Sequence, residues 1–316
     1  MSGTPPTSPQ VHDNRLWTAS RPELSVLIPF LRDDPADLLA LLNREAVALD
    51  GQVELVLLDD GTADPDLTTR LRALIDALTL PVRLITLAAN EGRSIGRNRL
   101  ASAARGGSLL FLDSDMRPDH DRFLQTWARL TTEQAPAVAF GGFSLLQAPQ
   151  EARFAVHRSM ATKSDCLSHE RRALQPEKYV FTSNLLVRRD VFETEAFDPG
   201  FSGWGWEDVE WAMRVSRRFA VVHLDNTATH MGLDTVEALA AKYEQSAPNF
   251  ARVVARHPDF VVAYPSYRVA KKLKVVPGLK AVRPLFKRAA HMTALPVPLR
   301  AFSLRLYRAA LYAEAI

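Results

Sequence analysis

Short apolar runs alternate along the first third of the chain with stretches in which leucines recur every three or four positions. Leu24–Pro29, Val53–Leu58, Val82–Leu87 and Ser108–Leu112 read as buried strands. Between them, Asp34-Pro35 opens a helix carrying Leu38, Leu42, Ala46 and Leu49 on one face. Asp64-Pro65 supplies an N-cap followed by proline in the first turn, with Leu67, Leu71 and Leu78 facing inward. Ser94–Arg105 reads as a third helix. Strands and helices of these lengths in alternation predict an α/β domain, with a mostly parallel central sheet and helices on both faces. Ligands of such sheets sit beyond the carboxyl ends of the strands. Asp59, Asp60 and Asp113 all lie at those ends and should converge on one crevice.

The second half is less regular. Ala137–Leu146, Tyr179–Val187 and Ala220–Leu224 read as strands. Val209–Arg217 reads as a helix, and Val236, Leu239, Ala240 and Tyr243 mark another. Gln147–Lys178 is long and polar, and is expected to be a mobile substrate loop. Residues 1–22 are polar, rich in proline and without the apolar core of a signal peptide, so they are expected to be disordered.

The chain has 316 residues, enough for one large domain or two small ones. Its one cysteine, Cys166, excludes an intramolecular disulfide and a thiolate zinc cluster, which fits a reducing, cytoplasmic setting. No apolar run approaches the ~20 residues of a spanning helix. Charge is unevenly spread. Arg268–Ile316 holds eleven Lys or Arg and one acid, Glu314, a net of +10; the whole chain is +3, so residues 1–267 sum to −7. A basic tail on an acidic body points to an anionic docking partner.

Two acidic clusters carry the chemistry. Asp113-Ser114-Asp115 follows a strand directly, and carboxylates placed there can hold Mn2+ or Mg2+ beside a substrate diphosphate; Asp and Ser also favour plain turns. In Gly203-Trp204-Gly205-Trp206-Glu207-Asp208, glycines let the backbone approach a ligand, indole can pack on a sugar face, and a carboxylate can take a hydroxyl proton. The competing reading is an aromatic core with acids favouring a helix start. His230, in Thr229-His230-Met231-Gly232, could complete a metal site. His223 is read as bonding a backbone group. Ser183-Asn184 could contact an acceptor or close a turn.

The run Asn90-Glu91-Gly92, Gly96-Arg97-Asn98, Ala104 and Gly107-Ser108-Leu109-Leu110-Phe111-Leu112-Asp113-Ser114-Asp115 resembles the signature of family 2 inverting glycosyltransferases of the GT-A fold. Leu27-Ile28-Pro29 and Leu57-Leu58-Asp59-Asp60-Gly61-Thr62 resemble that family's first two strand ends. The resemblance spans roughly Leu24–Gly232. It implies a nucleotide-sugar donor, usually a uridine diphosphate sugar, and a divalent metal. By position, Pro29 and Asp60 would line the base pocket, Arg97 would contact the nucleotide, Asp113 the ribose or metal, and Asp115 the metal. The chain departs from the pattern at Phe30-Leu31-Arg32. Gly203–Asp208 is similar to the Gly-Trp-Gly-x-Glu-Asp stretch of galactosyl- and N-acetylgalactosaminyltransferases. That likeness implies Asp208 as general base, Glu207 on sugar hydroxyls, Trp204 or Trp206 stacked on the acceptor, and His230 as a third metal ligand.

The expected organisation is a disordered segment 1–22, a catalytic domain 23–265 with a donor half 23–118 and an acceptor half 119–265, and a basic amphipathic tail 266–316. In that tail Leu299, Phe302 and Leu306 share a helical face, whereas Leu304 and Leu311 fall near the polar arc. The tail would rest on an anionic membrane at its inner face or pack on the domain; no module or aromatic platform supports nucleic acid. The acceptor would be a glycan, a lipid-linked sugar or a polysaccharide. A nucleotidyltransferase would also present an acidic pair on an α/β sheet, but with a Gly-rich basic loop after the first strand. A non-catalytic sugar-binding protein of this fold could dispense with Asp208 and the metal acids.

Overall fold

The computed structural model describes residues 8–316. Its main sheet has eight strands: β1 (Gln10–Asp13), β2 (Leu24–Phe30), β3 (Val53–Asp59), β4 (Val82–Thr86), β5 (Ser108–Leu112), β7 (Val138–Phe140), β9 (Asn184–Arg188) and β10 (Val221–His223). Their order is β1-β4-β3-β2-β5-β9-β7-β10. The block β4-β3-β2-β5 is parallel, as expected, and β9 runs antiparallel between β5 and β7. A small second sheet joins β6 (Met116–Pro118), β11 (Ala228–His230) and β8 (Phe143–Ser144) in the order β6-β11-β8.

The central strands are continuous apolar runs because helices cover both faces. Leu24, Val26, Leu55, Leu57 and Leu110 pack on one side, and Leu27, Val56, Leu58, Leu109 and Phe111 on the other. The helix starts follow their local chemistry. Asp64 accepts from the amides of Asp66 and Leu67, both at 3.0 Å, and Asp34 accepts from Ala36 at 3.0 Å.

Four expectations need correction. Residues 8–22 are ordered, although residues 1–7 lie outside the described ones. β1 pairs antiparallel with the edge of β4, and Trp17 is buried between the guanidinium groups of Arg83 and Arg105, 4.5 and 3.8 Å from its ring. The expected strand Ala137–Leu146 breaks at Gly141-Gly142, where the chain leaves the large sheet for the small one. A side chain at Gly141 would meet Asn184 Nδ2 and the Asn226 carbonyl at 2.5 Å. Gln147–Lys178 is not a long loop. It holds the helix Ala155–Ser164, which buries Val156, Met160 and Ala161, and three shorter helical turns.

The fourth correction concerns the buried face of the last helix. Residues 266–316 pack on the domain, one of the two placements expected for them. The helices Pro265–Lys274, Leu279–His291 and Val297–Ala315 share an apolar cluster with Ala155–Ser164 and Val236–Arg256. The last helix turns Ala301, Leu304, Tyr307, Ala310 and Leu311 inward and leaves Leu299 and Phe302 exposed, the reverse of the expected face. Tyr307, Ala310 and Tyr312 on the inward stripe outweigh the smaller apolar arc on the other side. No helix among the described residues is long and apolar enough to cross a membrane.

Candidate active site

The two acidic clusters meet in one cavity of about 600 Å³, whose walls include Asp113, Asp115, Glu207, Asp208 and His230. Arg97 joins them. It rises from the helix Arg93–Ala103, is 2% exposed, and donates to Asp113 Oδ1 at 3.0 Å and to Glu207 Oε1 at 3.4 Å. A buried guanidinium needs carboxylate partners, so this bridge fixes residues 110 positions apart across the cleft. Arg93 approaches the same Glu207 oxygen at 3.8 Å.

Register sets the Asp115 corner. β11 pairs antiparallel with β6 so that His230 opposes Met116, and the Met231 amide donates to the Asp115 carbonyl at 2.9 Å. His230 Nε2 thereby stands 3.1 Å from Asp115 Oδ2. A side chain at Gly232 would sit 2.0 Å from that same oxygen, so glycine leaves the carboxylate its room. Burial works against charge on Asp115, but His230 holds it below the ordinary range; burial likewise opposes charge on His230, and Asp115 holds it above. Behind them Asp119 accepts from Thr227 and Thr229, each at 2.7 Å, which locks β11.

A carboxylate and an imidazole side by side suit Mn2+ or Mg2+, with the remaining positions left for phosphate oxygens. The expected three-ligand set is not formed. Among the described residues no group of three His, Cys, Asp or Glu is gathered to hold a metal, and Asp113 gives an oxygen to Arg97 instead.

The Gly203–Asp208 bend is built from positive φ angles: Gly203 at 72°, Gly205 at 91° and Trp206 at 77°. Glycine takes that region freely, whereas a tryptophan there must be held. Asn249 donates to the carbonyls of Ser202 and Gly205, both at 2.9 Å. Trp206 Nε1 donates to the Tyr312 hydroxyl at 3.0 Å, and its ring packs 5.0 Å from that of Phe250. Trp204 lines the cavity against Tyr243. The helix Glu207–Val215 follows, so Asp208 lies in its first turn and accepts from the Val209 amide at 2.8 Å. Burial first, then the neighbouring Glu207, pushes Asp208 up to about 7, against the pull of Arg97 and Arg93.

Other expected residues have partners of their own. Asp60 accepts from Asn90 Nδ2 and the amides of Glu91 and Gly92 at 2.8–3.2 Å, and so shapes the loop before Arg93. Neither Asp60 nor Pro29 is among the cavity walls. Asn184 bonds Trp127 and the carbonyls of Gly142 and Asn226, a structural role, while Ser183 lines the cavity. His223 bonds the Pro176 carbonyl at 3.0 Å, as expected. The sequence reading missed Arg93, Asn249, Tyr312, Arg305 and Arg308; Arg93 was signalled only by its place after Gly92.

An α/β sheet of this order, with two acid clusters facing one cavity beyond its strand ends, has the architecture of the GT-A fold. The family model "Glycosyl transferase family 2" matches residues 25–194, more than half of the chain, and the protein belongs to that family. No curated protein matches it. Among solved structures it is similar to a mannosyltransferase from Pyrobaculum calidifontis in complex with GDP-Man and Mn2+, at TM-score 0.60 and 13% identity, covering 99% of this chain and 90% of that one. It is also similar to glucosyl-3-phosphoglycerate synthase from Mycobacterium tuberculosis in complex with Mn2+, UDP-glucose and phosphoglyceric acid, at TM-score 0.51 and 20% identity, covering 76% and 80%. A third likeness is to residues 1–349 of S. aureus TarS, at TM-score 0.50 and 15% identity, covering 93% and 90%.

Proposed function

We propose that the protein is a metal-dependent, inverting glycosyltransferase that moves a sugar from a nucleotide diphosphate donor, a UDP-sugar in the first instance, to a hydroxyl of a glycan, lipid-linked or polysaccharide acceptor. The observation that carries this reading is the single cavity walled by Asp115 and Asp208, with Arg97 bridging their neighbours Asp113 and Glu207. Asp115 and His230 would hold Mn2+ or Mg2+; when bound, the ion supplies charge neutralisation to the departing diphosphate. Asp208 accepts the acceptor's hydroxyl proton. The freed oxygen bonds to the anomeric carbon from the face opposite the nucleotide, while the bond from that carbon to the phosphate oxygen breaks and its electron pair leaves with the diphosphate. Trp204 offers an aromatic face to a sugar, and Glu207 holds Arg97 and Arg93 towards the donor. Both arginines approach its Oε1, and Oε2 would serve sugar hydroxyls.

A panel of uridine, guanosine and thymidine diphosphate sugars, with and without Mn2+, tests the reading. Nucleotide release is expected from one base class and only with the metal. Release from none, or release indifferent to chelator, would sink the metal-dependent assignment.

The C-terminal helices support a second element, contact with an anionic membrane. Val275 (79% exposed), Leu285, Leu299 and Phe302 stand in solvent, and the exposed Lys271, Lys272, Lys280 and Arg288 have no ion-pair partner among the described residues. Each cation near such a surface contributes about 1 kcal/mol. Replacing these four by Gln is expected to weaken co-sedimentation with phosphatidylglycerol vesicles by roughly a hundredfold or more. Equal binding of the native chain to phosphatidylcholine vesicles would end this element.

A further inference from the structure

Arg305 and Arg308 are one turn apart on the helix Val297–Ala315, and both line the cavity that holds the two acid clusters. Neither has a carboxylate within 4.0 Å among the described residues. Arg308 lies over the Tyr243 ring at 5.1 Å. Lys163, on the helix Ala155–Ser164 packed against theirs, adds a third cation to the wall, and Asp165, which caps that helix, is an acid of the same wall whose charge acts on both arginines and on His230. Three cations against one acid leave this part of the wall with an excess of positive charge, which an anionic ligand would offset.

Their placement identifies which substrate that is. Tyr312, four residues beyond Arg308 and on the same helical stripe, bonds Trp206 Nε1, two residues before Asp208. That bond ties the stripe of the arginines to the segment that leads into the proton-accepting carboxylate. We infer that Arg305 and Arg308 form an anion subsite for the acceptor, and that the acceptor carries a phosphate near the hydroxyl that receives the sugar. Paired guanidinium groups match a phosphate through charge-assisted hydrogen bonds. The inference rests on the glycosyl-transfer reading above.

The test uses the full chain with UDP and Mn2+ present, following fluorescence of Trp204 and Trp206 as glycerol 3-phosphate or glycerol is added. Saturable, salt-sensitive binding of the phosphate and none of glycerol is expected. Arg305→Gln, at a half-buried position, should weaken that binding by about tenfold, and the Arg305→Gln/Arg308→Gln pair by more. Affinity for UDP–Mn2+, measured by calorimetry, should hold in both variants. Short-chain phosphatidate binding more tightly than glycerol 3-phosphate identifies a lipid-borne phosphate; equal binding identifies a free polyol phosphate. Phosphate and glycerol behaving alike on the native chain would overturn the inference, as would variants that lose UDP–Mn2+ affinity in step with phosphate, which would assign the arginines to the donor. A native chain that binds the phosphate but no UDP–Mn2+ would instead overturn the donor reading and leave the anion subsite standing.

Discussion

Asp208→Asn is expected to lower kcat by about 10²–10⁴-fold, the range a positioned general base contributes, with UDP–Mn2+ affinity little changed. The amide keeps the size of the side chain and its acceptor towards the Val209 amide, but it cannot take a proton. The native enzyme should show the same group in its pH profile. With Asp208 pushed up to about 7, turnover should rise with pH through that value and level off above it. Stability should move the other way. A folded-state value above the ordinary 3.8 means that the folded chain holds the extra proton between the two, so stability falls as pH rises through about 7. Asparagine does not titrate. The variant should therefore melt above the native protein near pH 8, with the gap closing towards about pH 4. A variant with native turnover, or a gap that widens in acid, would remove Asp208 from the role of base.

Asp115→Ala should abolish the Mn2+ dependence of UDP binding. The loss should be at least about a hundredfold, the upper end of what removing an outer-shell partner alone costs. His230→Ala should act in the same direction, since the two stand 3.1 Å apart on paired strands. Titration calorimetry with and without the metal checks both. Metal-dependent affinity surviving in Asp115→Ala would place the ion elsewhere.

The first half of the fold was legible because fully buried parallel strands are unbroken apolar runs, and β2, β3, β4 and β5 fall within two residues of the expected spans. β1 was not legible. Gln-Val-His-Asp has one apolar residue, and its order comes from pairing with β4 and from Trp17 between two arginines. Gln147–Lys178 looked like a loop because its helical turns are short and bury few side chains. The last helix carries apolar residues on two arcs, and periodicity alone does not say which one a neighbour will cover; Val236–Arg256 and Ala155–Ser164 cover the arc of Leu304, Tyr307 and Leu311.

Motif and order singled out Asp115, His230 and Asp208, and all three stand on the wall of one cavity. The partners that fix them were not readable. Arg97 reaches Glu207 and Tyr312 reaches Trp206 over more than a hundred residues, and no local pattern encodes such pairs. Asp60 likewise has partners that its strand-end place did not announce: three donors of the next loop bond it.

The most direct measurement follows the anomeric proton by NMR as the protein transfers sugar from an α-linked nucleotide donor, to acceptor or to water, before the free sugar equilibrates. A hydroxyl oxygen activated by Asp208 and entering opposite the diphosphate gives the β product first. An α product formed first would contradict a single displacement between these two walls.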